Sequence, residues 1–296
     1  MSFLKHKIFG FLFNLFKYTK IKDNRISFII DSNESFKGNL DYIKKEFERR
    51  GDYEFCFFYK DKLSFSNFKN LSTSKFIFLN DNFFPMAFMN FKHDNIIVQL
   101  WHAPGASKKF GGSVEIENRP VLKKISDNTD FLITTSQNIA PYYSEAFQMP
   151  IDKIKPLGLP RMDYYFQPHV TDRIKSDFCN EYGIDSEKKI ILYAPTFRQN
   201  SEYNNVFEFL NLEKFNEVLG EEYVLVLRLH PKIRRFYSED ISSDSFYVDV
   251  SDFKNEQELM LISDMLITDY SSNPSLFNKK STILLDEQPS ISSNCV

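Results

Sequence analysis

Beyond residue 22 the chain alternates between short runs of β-branched and aromatic residues and longer stretches with helical spacing. Ile26–Asp31, Tyr53–Tyr59, Lys75–Leu79, Asn95–Leu100 and Phe131–Thr135, each bounded by polar turns, predict buried strands. Leu40–Arg50, Val121–Ser126 and Gln137–Phe147 predict helices between some of them. The second half repeats the rhythm, with strands predicted at Lys189–Tyr193, Tyr223–Arg228, Ser245–Val250, Met265–Thr268 and Thr282–Leu285. Its helices are predicted at Asp172–Tyr182, Leu212–Leu219 and Glu256–Ile262. Strands alternating with helices imply parallel sheets covered on both faces. Two such arrays in tandem, hinged near Pro150–Pro160, give a two-domain α/β architecture with no low-complexity tract or short-period repeat.

The first 22 residues break this pattern. They hold Lys5, Lys7, Lys17, Lys20 and Lys22 and no acidic residue, in a chain whose net charge is −3. Phe3, Leu4, Ile8, Phe9, Phe11, Leu12, Phe13, Leu15 and Phe16 are interleaved with the lysines. The apolar stretch from Ile8 to Phe16 is far shorter than the ~20 residues needed to span a bilayer. No small-residue cleavage site follows it. Residues 1–22 therefore read as a basic amphipathic segment lying on an anionic membrane surface. The competing reading is a helix packed on the protein's own body; lysines without acidic partners favour the membrane.

Composition removes several function classes. With 42% hydrophobic residues among 296 the chain can bury a substantial core, which excludes wholesale disorder. The slightly acidic balance argues against a protein that coats nucleic acid. Nine glycines include neither G-x-G-x-x-G nor G-x-x-x-x-G-K-[ST], so the usual dinucleotide and P-loop sites lack support. Cys56, Cys179 and Cys295 are widely spaced, with no C-x-x-C or H-E-x-x-H, which argues against structural zinc and a disulfide framework. No carboxylate cluster calls for a metal, and no cofactor is expected.

Ligands of doubly wound folds bind beyond the carboxyl ends of the strands, and four such ends carry chemistry. After Ile96–Leu100 come Trp101, His102, a Pro104-Gly105 turn, and Lys108 and Lys109. An imidazole there suits proton transfer, and the lysines suit phosphate oxygens; a structural histidine beside solvated lysines fits the same residues. Ile191–Tyr193 runs into Ala194-Pro195-Thr196-Phe197-Arg198, where Arg198 is either an anion contact or a surface residue. Leu227-Arg228-Leu229-His230-Pro231 places a second histidine at a second strand end. One such histidine means little; two, in different domains facing a common cleft, mean more. Leu266–Thr268 runs into Asp269, Tyr270, Ser271, Ser272 and Pro274, where a helix start can hold a phosphate or merely be capped by Ser or Asn.

The ordered set of motifs resembles the CDP-glycerol glycerophosphotransferase family, whose members prime or polymerise teichoic-acid-like and capsular polyol phosphates. The set runs W-H-x-x-G-x-x-K-K, L-G-x-P-R-x-D (Leu157–Asp163), Y-A-P-T-x-R, R-x-H-P, and L-I-S-D-x-L-I-T-D-Y-S-S. It covers roughly residues 25–285, including the early Phe28–Asn39 stretch. The resemblance implies a GT-B-like fold of two Rossmann-type domains facing a cleft: an acceptor-side domain over 23–155 and a nucleotide-binding domain over 156–296. It implies peripheral attachment at the cytoplasmic face of the cell membrane. It also implies transfer of glycerol phosphate, or a similar polyol phosphate, from a CDP-activated donor to a polymer or lipid-linked hydroxyl, releasing CMP. His102 then matches the general base and His230 the second essential histidine, on the donor phosphates. Asp269, Ser271 and Ser272 match the CDP-binding segment, Arg198 and Arg228 further anion contacts, and Lys108 and Lys109 contacts to acceptor or phosphate.

Two departures stand out. His102 is followed by Ala-Pro-Gly-Ala-Ser, as in a W-H-A-x-G-A variant rather than the W-H-G-T-P-L form. Asp286–Val296 lacks helical or strand periodicity where family members add further elements, so a shortened C-terminal domain with a weakened nucleotide site is expected. Alternative readings are a GT-B nucleotide-sugar glycosyltransferase and a truncated, inactive binding remnant.

Overall fold

A computed structural model describes residues 3–31, 36–60, 64–106, 109–114, 119–168, 171–195, 211–230, 234, 247–268 and 281–284. They divide into two compact units, one running through Asp163 and the other starting at Tyr164.

The first unit is built on six parallel strands, β1 (Lys22–Ile30), β2 (Glu54–Tyr59), β3 (Ser74–Leu79), β4 (Ile96–Gln99), β5 (Phe131–Ile133) and β6 (Ile154–Lys155). Their order is β2-β1-β3-β4-β5-β6. Helices cover both faces, so the strands read as nearly continuous apolar runs rather than alternating ones. Alternation survives in which core each side chain enters. Ile26, Phe28 and Ile30 of β1 join Phe78, Val98, Leu100 and Ile133, under Leu40, Ile43 and Phe47 of α2 (Asn39–Arg50). Ile29 instead joins Phe58, Ile77, Leu79 and Ile97 on the opposite face. There they meet α1 (Phe3–Asn14), α3 (Phe65–Ser72) and α4 (Arg119–Asp127). A fifth helix, α5 (Ala140–Phe147), packs over Leu132 and Ile154.

The N-terminal helix packs on this unit with one of its faces. Phe9 and Phe13 of α1 are buried in the same core as β3 and α3, and Lys22 already belongs to β1, paired with Glu54 at 3.2 Å. Gly10 lets the helix approach the 3-10 segment Phe84–Phe88 so closely that an added Cβ would lie 2.4 Å from Phe88 Cβ. Asn14 fixes the contact, its Nδ2 donating to Phe88 O (3.0 Å) and its Oδ1 accepting from the Asn90 amide (2.7 Å). The opposite face of α1 is also apolar: Leu4, Ile8 and Phe11, spaced 4 and 3 residues apart, are exposed, as is Leu15 just past the helix end.

The second unit has parallel strands β7 (Lys189–Tyr193), β8 (Tyr223–Leu227), β9 (Tyr247–Asp249), β10 (Met265–Thr268) and β11 (Ser281–Leu284), in the order β11-β10-β7-β8-β9. Among its described residues the helices include α6 (Thr171–Tyr182), α7 (Leu212–Leu219) and α8 (Glu256–Ile262). Asn211 and Asn255 cap the last two, accepting from the amides of Lys214 (2.9 Å) and Glu258 (3.3 Å). Ile191, Tyr193, Leu225, Leu227, Leu229 and Ile267 form a core on one face of this sheet. Cys179 is buried and Cys56 half-buried, both as free thiols, while Cys295 lies outside the described residues, as does the tail Asp286–Val296.

Candidate active site

The strand order of the first sheet reverses between β1 and β3: the connection from β1 goes to β2 on one side, and the chain then returns to β3 on the other. Connections leave in opposite directions from such a point, which opens a crevice at the carboxyl ends of the two strands. A cavity of about 250 Å³ lies there, lined by Asp31 after β1, Asn80 and Asp81 after β3, Gly38 and Asn39 at the start of α2, and His102 and Arg161.

His102 reaches this cavity because the backbone turns abruptly after β4. Trp101 adopts φ +57°, a left-handed conformation that costs an ordinary residue about 1–2 kcal/mol. The surroundings hold it there. Its amide donates to Gln99 Oε1 (3.0 Å) and its carbonyl accepts from Asn39 Nδ2 (2.9 Å). Its buried ring stacks on Phe110 at 5.4 Å and meets Phe147 edge-on at 5.0 Å. Arg161 adds a clamp: its amide donates to Asn39 Oδ1 (3.1 Å), and its Nη2 donates to the His102 carbonyl (3.1 Å).

The His102 ring is exposed, with Nδ1 at 3.3 Å from the carbonyl oxygen of Asn80. A carbonyl can only accept, so in the neutral ring Nδ1 carries the hydrogen and Nε2 keeps its lone pair. The loop that follows is tied down by two hydroxyls. Thr135 Oγ1 donates to Pro104 O (2.6 Å), and Tyr143 donates to Ala103 O (2.6 Å) and Gly105 O (3.2 Å). Burial pushes the Tyr143 phenol up to about 12, so it remains a donor at neutral pH. The result is an imidazole on a fixed backbone, with an acceptor nitrogen available to take a proton.

The other sequence candidates divide by position. Lys109 is exposed and does not line the cavity; Lys108 lies outside the described residues. In the second unit His230 is exposed three residues past the end of β8, the same offset that separates His102 from the end of β4. Arg228 is half-buried, with Nη1 donating to Phe253 O at 2.7 Å. Strand order in this sheet reverses between β7 and β10. Their ends are joined by the Ala194 amide donating to Ile267 O (3.0 Å) and Thr268 Oγ1 donating to Ala194 O (2.6 Å). Arg198, Asp269, Ser271 and Ser272 lie outside the described residues. Sequence reasoning gave no role to Asn39, Asn80, Thr135, Tyr143 or Arg161, although Arg161 stands inside the Leu157–Asp163 motif.

Comparison with known proteins adds to this geometry. Residues 11–274 match the family model of CDP-glycerol:poly(glycerophosphate) glycerophosphotransferase. The teichoic acid poly(ribitol-phosphate) polymerase of Bacillus spizizenii is 34% identical over 283 residues, 91% of this chain and 46% of that protein. The teichoic acid glycerol-phosphate primase of Bacillus subtilis is 33% identical over 214 residues, 69% of this chain and 54% of that protein. The chain thus spans about half the length of the curated relatives it matches. Among solved structures, the wall teichoic acid polymerase TagF superposes with a TM-score of 0.76 at 23% identity, covering 93% of this chain and 73% of that one. A UDP-GlcNAc 2-epimerase from Neisseria meningitidis superposes with a TM-score of 0.57 at 12% identity, covering 89% and 83%. These likenesses show the fold, which is GT-B-like.

Proposed function

Because the chain belongs to the CDP-glycerol:poly(glycerophosphate) glycerophosphotransferase family, we propose that it transfers a polyol phosphate from a CDP-activated donor to a hydroxyl of a polymer or lipid-linked acceptor. The observation that carries this reading is the His102 imidazole, exposed past a parallel strand with its Nδ1 on the Asn80 carbonyl. Nε2 takes the proton of the acceptor hydroxyl as its oxygen bonds to the β-phosphorus of the donor. The bond from that phosphorus to the bridging oxygen breaks, and CMP leaves with the oxygen. Positioning and charge neutralisation dominate such a transfer.

In this reading the first unit serves the acceptor. The second unit binds the nucleotide, with His230 on the donor phosphates and Arg198, Arg228, Asp269, Ser271 and Ser272 as further contacts. The donor is CDP-glycerol or CDP-ribitol, since relatives named for glycerol phosphate and for ribitol phosphate both match. The products are teichoic-acid-like or capsular polymers.

The work is done at the cytoplasmic face of an anionic membrane. Support comes from α1, whose outer stripe of Leu4, Ile8 and Phe11 is flanked by the exposed Lys5 and Lys7. No helix among the described residues is long and apolar enough to cross a membrane. A nucleotide-release assay tests the whole reading: CMP should appear from CDP-glycerol or CDP-ribitol only when a polyol-phosphate acceptor is added. Release of UDP or UMP from UDP-sugars instead would favour a nucleotide-sugar glycosyltransferase.

A further inference from the structure

We infer that the cavity between the ends of β1 and β3 seats the terminal polyol-phosphate unit of the acceptor, with its phosphate on Lys37 and Arg161 and its hydroxyls toward Asn80, Asp81 and His102. The inference rests on the acceptor role given to His102 above, and goes beyond it by assigning the place and the side chains that hold the acceptor's terminal unit.

Four observations carry it. The cavity occupies the topological switch point of the first sheet, the place where a parallel α/β sheet offers a crevice. Its volume of about 250 Å³ is below the ~300–1,000 Å³ of pockets for drug-sized ligands, so it suits one small unit rather than a nucleoside diphosphate. Its lining is mixed. Lys37 and Arg161 supply cationic donors, and Lys60 offsets Asp31 through a 2.7 Å ion pair, which leaves the wall able to receive an anion. Asp81 supplies carboxylate oxygens, and Asn80 Oδ1 has no hydrogen-bond partner among the described residues. Acceptor atoms of this kind suit hydroxyl groups and not a bare phosphate. Finally, His102 lines the same cavity, so a hydroxyl bound there lies beside the proposed base.

The test is calorimetric titration of the full chain with sn-glycerol 3-phosphate, inorganic phosphate and glycerol as separate probes. Glycerol 3-phosphate should bind at least about tenfold more tightly than either fragment. Lys37→Ala and Arg161→Lys should each weaken it by about tenfold or more, as expected for a lost charge-assisted hydrogen bond. Thermal melting of both variants checks that they fold. In the transfer assay the same variants should raise the acceptor KM and leave the donor KM in place. Inorganic phosphate binding as tightly as glycerol 3-phosphate would overturn the polyol assignment. CMP release by the wild type, with neither variant moving the glycerol 3-phosphate Kd or the acceptor KM, would overturn the cavity assignment alone. Lys37-dependent binding of glycerol 3-phosphate by a chain that releases no CMP would support the cavity and sink the transfer reading.

Discussion

The side-chain amide of Asn39 donates to the carbonyl of Trp101 at 2.9 Å across 62 residues of sequence, and its oxygen accepts the Arg161 amide at 3.1 Å. One buried residue thereby joins the start of α2, the strained turn before His102 and the Leu157–Asp163 motif. Asn39→Asp is nearly isosteric but sets a carboxylate against the Trp101 carbonyl. It should lower stability by about 1–3 kcal/mol, the cost of leaving a buried polar group unsatisfied, and reduce turnover with it. Urea denaturation beside kcat for the variant checks this; unchanged values in both would remove Asn39 from the support of the site.

The two apolar faces of α1 call for separate tests. Replacing Leu4, Ile8 and Phe11 together by Ser should reduce binding to anionic vesicles and leave thermal stability nearly unchanged, because all three are exposed. High salt should weaken wild-type binding by screening the lysines. Deleting residues 1–22 would instead strip Phe9 and Phe13 from the core and so disturb the fold. Vesicle binding unaffected by the triple change would end the membrane reading of this helix.

Phe13 is fully buried, so Phe13→Ala should cost about 3–5 kcal/mol in chemical denaturation. A loss under ~1 kcal/mol, no larger than a surface change, would mean that α1 does not belong to the folded core.

What the sequence disclosed and what it concealed follow from range. Strand runs such as Ile26–Asp31 and Lys75–Leu79 were legible because burial on both faces makes them continuously apolar. The eight-residue α3, with Ser66, Asn67, Lys69 and Asn70 along it, is too short to announce itself, and β6 is only two residues long. For α1 the pattern was readable but its meaning was not: apolar residues all round a helix fit a core, a bilayer surface, or both at once. His102 was legible because its position depends on one local feature, a strand end. Asn80, 22 residues away, and Arg161, 59 residues away, became visible only when the sheet brought them to it.

Acid should act on the first unit through Glu54. Two hydrogen bonds from the guanidinium of Arg25, at 3.0 and 2.7 Å, hold this carboxyl below the usual glutamate value of 4.5, with Lys22 assisting. A depressed folded value means the stabilisation is fully present above 4.5 and is lost as pH falls through the folded value. Denaturation of wild type and Glu54→Gln across pH 7 to pH 3 should therefore show a gap at neutral pH that closes on acidification, roughly over the carboxylate range. Partial exposure of Glu54 keeps that gap modest. A gap that stays constant with pH would show that the ion pair contributes nothing to folding.

The most direct measurement of the functional claim is turnover of His102→Ala beside wild type, with CDP-glycerol or CDP-ribitol and a polyol-phosphate acceptor. Loss of a general base should lower kcat by about 10²–10⁴-fold. Donor affinity should change little, because the donor is assigned to the second unit. Full turnover by His102→Ala would contradict the base assignment and make His230 the residue to test.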